Sequence, residues 1–438
     1  MGDATVGPLA PLGAGWSDPC FARGRLVALL IAAGLAVSGC KGGELLFQAF
    51  GLNLQKVAGD GQTGLATFAV NTPPAVEVTD TAGLPVPNAQ VTFAVTSGGG
   101  SVTGGSATTG SDGIATVGSW TVQLGANTLR ATAAGSSGSV SFAATGVAAT
   151  YTIDVRFLGP PMSPARRAVF TAAAARWGQL IYGDVPDIPV SIPGDTLAKY
   201  CTGTKNTPST LNETIDDIVI FAILDSIDGF GKILARSGPC YTRAPSFHYQ
   251  PVIGVMYFDT ADVVSLEGTG KFDEVVTHEM GHVLGYGTIW DPSHDNLLVG
   301  PAGSGGTDPH FVGTQAIAAF DRIGGTGYTA GAKVPVEATG GPGTQDSHWR
   351  KTVFGPELMT GILSSGVPNP LSVVTVASMG DEFYQVNYAG ADPFSLSFAA
   401  AMLQALEGVP PIELGDDVLR LPLRVLDQRG RLVRVVPQ

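Results

Sequence analysis

Thr277-His278-Glu279-Met280-Gly281-His282-Val283-Leu284-Gly285 is the stretch whose reading decides the rest of the chain. Two histidines four apart on a helix stand one above the other on one face, where both imidazoles reach a single ion; zinc accepts such nitrogens at about 2.0–2.1 Å. That is half of a metal site. Glu279 adjoins one histidine and lies three residues from the other, which puts a carboxylate beside the ion to take a proton from a bound water. Phe272, Val275, Val276, Val283 and Leu284 give the helix an apolar face, and Gly285, with Gly287, ends it just past the second histidine. The alternative is a solvent-facing helix that carries these side chains incidentally, but with six histidines in 438 residues the spacing is specific.

A chain of this length accommodates two or three domains. Charged residues make up 14%, against roughly 25% in ordinary soluble domains, and the 60 glycines are about twice the usual share. This is the composition of an exported, β-rich protein with many turns. A net charge of −13, with no basic cluster, argues against a nucleic-acid partner.

Arg23 and Arg25 precede the apolar run Leu26–Val37, which is too short to span a bilayer and suits a signal-peptide core. Val37-Ser38-Gly39-Cys40 follows. The pattern resembles a bacterial lipoprotein signal, which implies cleavage of 1–39 and lipid attachment at Cys40, so that the mature chain is held at the cell envelope without a transmembrane helix. Lys41 after the cysteine resembles lipoproteins sorted to the outer membrane. With Cys20 and Cys40 assigned to this region, Cys201 and Cys240 are the pair left in the body of the chain. In an oxidising compartment they are expected to form a disulfide; two separate buried thiols are the other reading.

After a linker over 40–52, residues 53–147 break into short alternating runs separated by Gly, Ser, Asn and Asp, such as Val91-Thr92-Phe93-Ala94-Val95. An antiparallel sandwich of about seven strands is expected. Asp80 to Pro85, Ser111-Asp112-Gly113-Ile114-Ala115 and Gly125-Ala126-Asn127-Thr128-Leu129 resemble bacterial immunoglobulin-like domains of invasin type. That resemblance implies either adhesion or a spacer that lifts the next domain off the membrane.

A second domain is expected over 150–393. Tyr151–Phe157 reads as a strand, Ser163-Pro164 as the start of a core helix through Ile181, Asp217–Leu224 as a central strand and Pro251–Asp259 as another. The order strand, helix, strands, then His-bearing helix is similar to the upper half of metzincin zinc endopeptidases. The similarity implies that the last strand, Ile253–Phe258, is an edge on which an extended peptide can pair.

The third metal ligand is not fixed by spacing. Position 288, where a compact metzincin pattern would place it, is Thr288, which leaves His294, His310 and His348 as candidates. His348 lies in Gly341-Pro342-Gly343-Thr344-Gln345-Asp346-Ser347-His348-Trp349-Arg350, followed by Glu357-Leu358-Met359-Thr360-Gly361. Together with HEMGHVLGYGTIW and Leu371–Ser378, these blocks resemble leishmanolysin. The resemblance implies one zinc ion held by His278, His282 and His348, Glu279 as general base, and Met359 as the methionine of a turn beneath the imidazoles. Leishmanolysins are richer in disulfides and carry a prosegment cysteine that blocks the zinc; neither feature has a counterpart here.

Residues 394–438 form a C-terminal extension outside the resemblance, with a helical stretch from Ser395 to Leu406 and alternation from Val418 to Val436. The expected architecture is thus multidomain: an all-β immunoglobulin-like sandwich followed by an α+β metzincin-type zinc protease domain. The expected function is a lipid-anchored zinc endopeptidase acting on protein or peptide substrates. The rival reading is a surface adhesin that keeps the second domain as a non-proteolytic scaffold.

Overall fold

The computed structural model describes residues 51–438 apart from Pro292 and Glu407. The proposed signal peptide and lipid-attachment residue Cys40 lie outside the described residues. Among those described, no helix is long and apolar enough to cross a membrane.

From Asn53 to Val147 the chain is all strand and turn. One sheet orders strands 53–58, 75–79 and 114–116, and a second orders 62–65, 139–147, 125–133, 90–97 and 106–108, with a two-stranded ribbon of 101–103 and 119–121 beside them. Ten strands replace the seven expected, because the Gly- and Ser-rich stretch 98–121 forms four three-residue strands too short to show a period of two. Alternation in the longer strands turns Val91, Phe93, Leu129, Ala131 and Phe142 inward around Trp120, all at most 2% exposed.

The remainder is built on one mixed six-stranded sheet. Its order is Ile153–Leu158, Ile218–Asp225, Pro251–Asp259, Ala235–Arg243, Leu423–Leu426 and Leu432–Val436. The first three run parallel, and Ala235–Arg243 is antiparallel to Pro251–Asp259. Ile218–Asp225 is apolar up to its last residue because both its faces are covered. Ile218, Ile220, Ala222 and Leu224 pack under the helices, while Val219, Phe221 and Ile223 join a second core on the other face.

The helix Pro164–Leu180 starts at Ser163, whose hydroxyl accepts from the Arg166 N–H, and buries Phe170, Ala173, Trp177 and Leu180. Trp177 donates its indole N–H to the Thr277 carbonyl at 2.9 Å, fixing this helix against Phe272–Leu284, the helix that carries the paired histidines.

Two features depart from expectation. Pro251–Asp259 is an interior strand paired on both sides, so Ile253–Phe258 cannot receive a peptide. Ala235–Arg243, with sequence ARSGPCYTR, is the strand that packs against the histidine helix, and Ser237 Oγ donates to the Glu279 carbonyl at 2.7 Å. We call it the cleft strand. The C-terminal hairpin, moreover, is part of this sheet, since Tyr241–Arg243 pairs in parallel with Arg424–Leu426.

A disulfide joins Cys201 to Cys240 of the cleft strand, with Cα atoms 5.4 Å apart and a sequence separation of 39. Closing a loop of that size in the unfolded chain is worth about 3–4 kcal/mol. The Cys201→Ser/Cys240→Ser protein is expected to lose that much in urea unfolding, and an unchanged midpoint would show that the bridge constrains nothing.

Candidate active site

The helix Phe272–Leu284 buries Phe272, Val275, Val276, Met280, Val283 and Leu284, and the same packing seals its polar residues: His278, Glu279 and His282 are all 0% exposed. Gly285 ends the helix at φ 123°, a backbone that L side chains rarely adopt, and a Cβ there would collide with the Glu382 carboxylate.

Each of three imidazoles is oriented by its Nδ1. His278 Nδ1 lies 2.7 Å from the Leu358 carbonyl, His282 Nδ1 2.8 Å from that of Tyr286, and His348 Nδ1 2.8 Å from that of Thr344. A carbonyl only accepts, so each Nδ1 carries a proton, and each ring in its neutral form presents an Nε2 lone pair. The three Nε2 atoms converge: 3.0 Å between His278 and His282, 3.0 Å between His282 and His348, and 3.2 Å between His278 and His348. Lone pairs facing one another in a dry pocket repel unless a cation lies among them. Ligands at tetrahedral angles about 2.0–2.1 Å from zinc stand roughly 3.3 Å apart, so the donor set fits that ion.

Met359 packs against the histidine helix at Gly281. Met359 is fully buried, its N–H donates to Glu357 Oε2 at 2.5 Å, and its carbonyl accepts from the Trp349 N–H at 3.0 Å. A Cβ on Gly281 would stand 2.9 Å from Met359 Cε and 2.9 Å from Trp177 Cζ2. The glycine between the two histidines therefore lets the methionine reach the underside of the helix.

The other candidate histidines are elsewhere. His294 Nδ1 lies 3.1 Å from Asp291 Oδ1, and His310 Nδ1 is 2.7 Å from the Asp308 carbonyl; neither belongs to the convergent set.

A fourth donor, absent from the sequence reading, is Asp417. Its Oδ2 stands 3.2 Å from His278 Nε2, 3.1 Å from His348 Nε2 and 4.0 Å from His282 Nε2, and the residue is fully buried. No spacing rule reaches a carboxylate in the C-terminal tail. The available signal was Gly415-Asp416-Asp417-Val418-Leu419, an acid pair next to apolar residues that must be buried.

Burial sets the electrostatics. It pushes His282 well below the ordinary histidine value and lowers His278 too, in both cases helped by neighbouring imidazoles. His348 is buried as deeply, yet the Asp417 charge beside it holds it above the ordinary value. Burial works against the charge of Asp417 as well, but the surrounding imidazoles keep its carboxyl well below the usual carboxylate range. Glu279 is raised well above that range, first by burial and then by the Asp417 charge, with the neighbouring Ser237 hydroxyl pulling the other way; that hydroxyl donates to the Glu279 main-chain carbonyl, and neither carboxylate oxygen has a partner of hydrogen-bond geometry among the described residues.

Three buried histidines, two of them on an HExxH helix, together with a buried carboxylate form a donor set that could hold a metal ion. Residues 198–401 match the family model described as leishmanolysin, a metallopeptidase family. A leishmanolysin homologue from Crithidia fasciculata is 30% identical over 200 residues, which are 44% of this chain and 27% of that protein. The chain therefore spans about a quarter of the length of this curated relative. Among solved structures, the D00-D0 domain of intimin is 21% identical over 22% of this chain and 46% of its own, with a TM-score of 0.19. The D0-D1 domain of intimin is 20% identical over 24% of this chain and 56% of its own, also with a TM-score of 0.19. Overlaps this small carry no argument about the sandwich.

Proposed function

We propose that the chain is a zinc-dependent endopeptidase of the metzincin type, exported and lipid-anchored through Cys40 at the bacterial envelope, acting on protein or peptide substrates. The observation that carries the reading is the convergence of three Nε2 lone pairs beside a buried carboxylate without a partner. His278, His282 and His348 would hold the ion. Bound there, zinc would supply the charge that acidifies water and polarises the scissile carbonyl.

Glu279 does the proton work. One carboxylate oxygen accepts a proton from the attacking water and later delivers it to the amine of the departing peptide. A buried base with no competing hydrogen bonds is free for that exchange, whereas a purely structural metal site gains nothing from an uncompensated carboxylate. Thr344, Leu358 and Tyr286 orient the imidazoles through their carbonyls, and Met359 with Trp177 holds the helix from below. The cleft strand lies beside the helix, and its stretch around Ser237, which the C-terminal tail now pairs with, is the backbone along which an extended substrate would pair once that tail withdraws.

In the Asp417→Ala chain, where no carboxylate stands against the imidazoles, the expected result with a peptide library is internal cleavage that stops when 1,10-phenanthroline strips the metal and returns when one equivalent of zinc is restored. Cleavage that survives full metal removal would refute the proposal.

A further inference from the structure

We propose that residues 412–421 are a built-in inhibitor of this site, with Asp417 the fourth ligand of the ion and Asp417–Leu419 lying where substrate would pair. The inference rests on the endopeptidase reading, and it concerns residues beyond the stretch 198–401 that the family model covers.

The segment crosses directly over the metal cradle. Ile412–Glu413 pairs antiparallel with Ile362–Leu363, just past Met359. Thr344, whose carbonyl orients His348, donates its hydroxyl to the Gly415 carbonyl at 2.7 Å. On the opposite wall Arg236 Nε donates to the Asp416 carbonyl at 2.9 Å. The Ser237 N–H then donates to the Asp417 carbonyl at 2.8 Å, and the Leu419 N–H donates to the Ser237 carbonyl at 2.8 Å. Both backbone groups of Ser237 are thus taken by the tail, in parallel register. Arg420 ties the far side back to the His348 loop, donating to Ser347 Oγ at 2.9 Å. Glu413 and Gly415 help to line a cavity of about 140 Å³, and Leu419 and Leu421 help to line another of about 350 Å³.

Catalytic zinc sites keep one position open, whereas four protein ligands close a site. Here an oxygen of Asp417 stands against the imidazoles, while its second oxygen and both oxygens of Glu279 have no partner among the described residues. The fourth side of the cradle, where a catalytic site keeps a water for its base, is taken by the Asp417 carboxylate. The two facts reconcile if the described arrangement is a latent state from which the tail must withdraw. Its upstream connection, Gly408 to Pro411, is exposed, so the link most accessible to a second protease is the one whose cutting would free the segment from Ile362–Leu363.

The test uses the zinc-loaded full chain carrying Glu279→Ala, so that no protein in the series digests itself, with acetohydroxamate as a small probe of the fourth position. The parent is expected to bind one zinc and to take up acetohydroxamate poorly. Adding Asp417→Ala, or the shape-conserving Asp417→Asn, is expected to leave one zinc in place and to tighten acetohydroxamate at least tenfold. Equal affinity in all three proteins at one zinc each would overturn the inhibitor assignment. Absence of zinc from the parent would overturn it together with the metalloprotease reading. Tightened acetohydroxamate in a chain that, with Glu279 restored, still cleaves no peptide would instead uphold the inhibitor and refute only the endopeptidase reading.

Discussion

Glu279→Gln is expected to lower kcat for peptide cleavage roughly a thousandfold while zinc remains at one per chain, measured in the Asp417→Ala background where the fourth position is open. The substitution keeps the shape of the side chain and removes its ability to take and return a proton. Because the Glu279 carboxylate is buried with no partner, exchanging it for a neutral amide disturbs no hydrogen bond among the described residues and is expected to leave folding intact or slightly improved. KM should change little, since the group acts on the reacting water and not on the substrate's ends. A fall in zinc content of the same size as the fall in rate would assign Glu279 a structural part instead.

His348→Ala is expected to weaken zinc binding more than about a hundredfold and to abolish cleavage with it, because two imidazoles on one helix make only half a site. The paired controls are His294→Ala and His310→Ala. Each of those rings is engaged locally, with Asp291 and with the Asp308 carbonyl, and each is expected to leave zinc stoichiometry untouched. Equilibrium dialysis across the three proteins distinguishes the candidates that spacing alone left open.

The parts of this site differ in how they are encoded. The pairing of His278 with His282 is local, fixed by 3.6 residues per turn, and readable from spacing. Ile218–Asp225 is readable too, because, covered on both faces, it is apolar up to its last residue. The cleft strand is not: ARSGPCYTR has neither alternation nor β-branched residues beyond one threonine, and it becomes a strand because Pro251–Asp259 pairs along its length. His348 lies 66 residues past His282, a separation over which only a resemblance to other sequences could select it. Asp417 is marked only by the acid pair beside Val418, since a carboxylate in a tail has no period and lies outside the matched stretch 198–401. Its role depends on a tertiary path, across the His348 loop and along Ser237, that exists only once the sheet has formed.

The most direct test of the central claim is anomalous diffraction at the zinc edge from crystals of the zinc-loaded chain. The account predicts a single strong peak among the Nε2 atoms of His278, His282 and His348, at about 2.0–2.1 Å from each. A peak at any other place, or none in crystals that contain zinc by fluorescence, would contradict it.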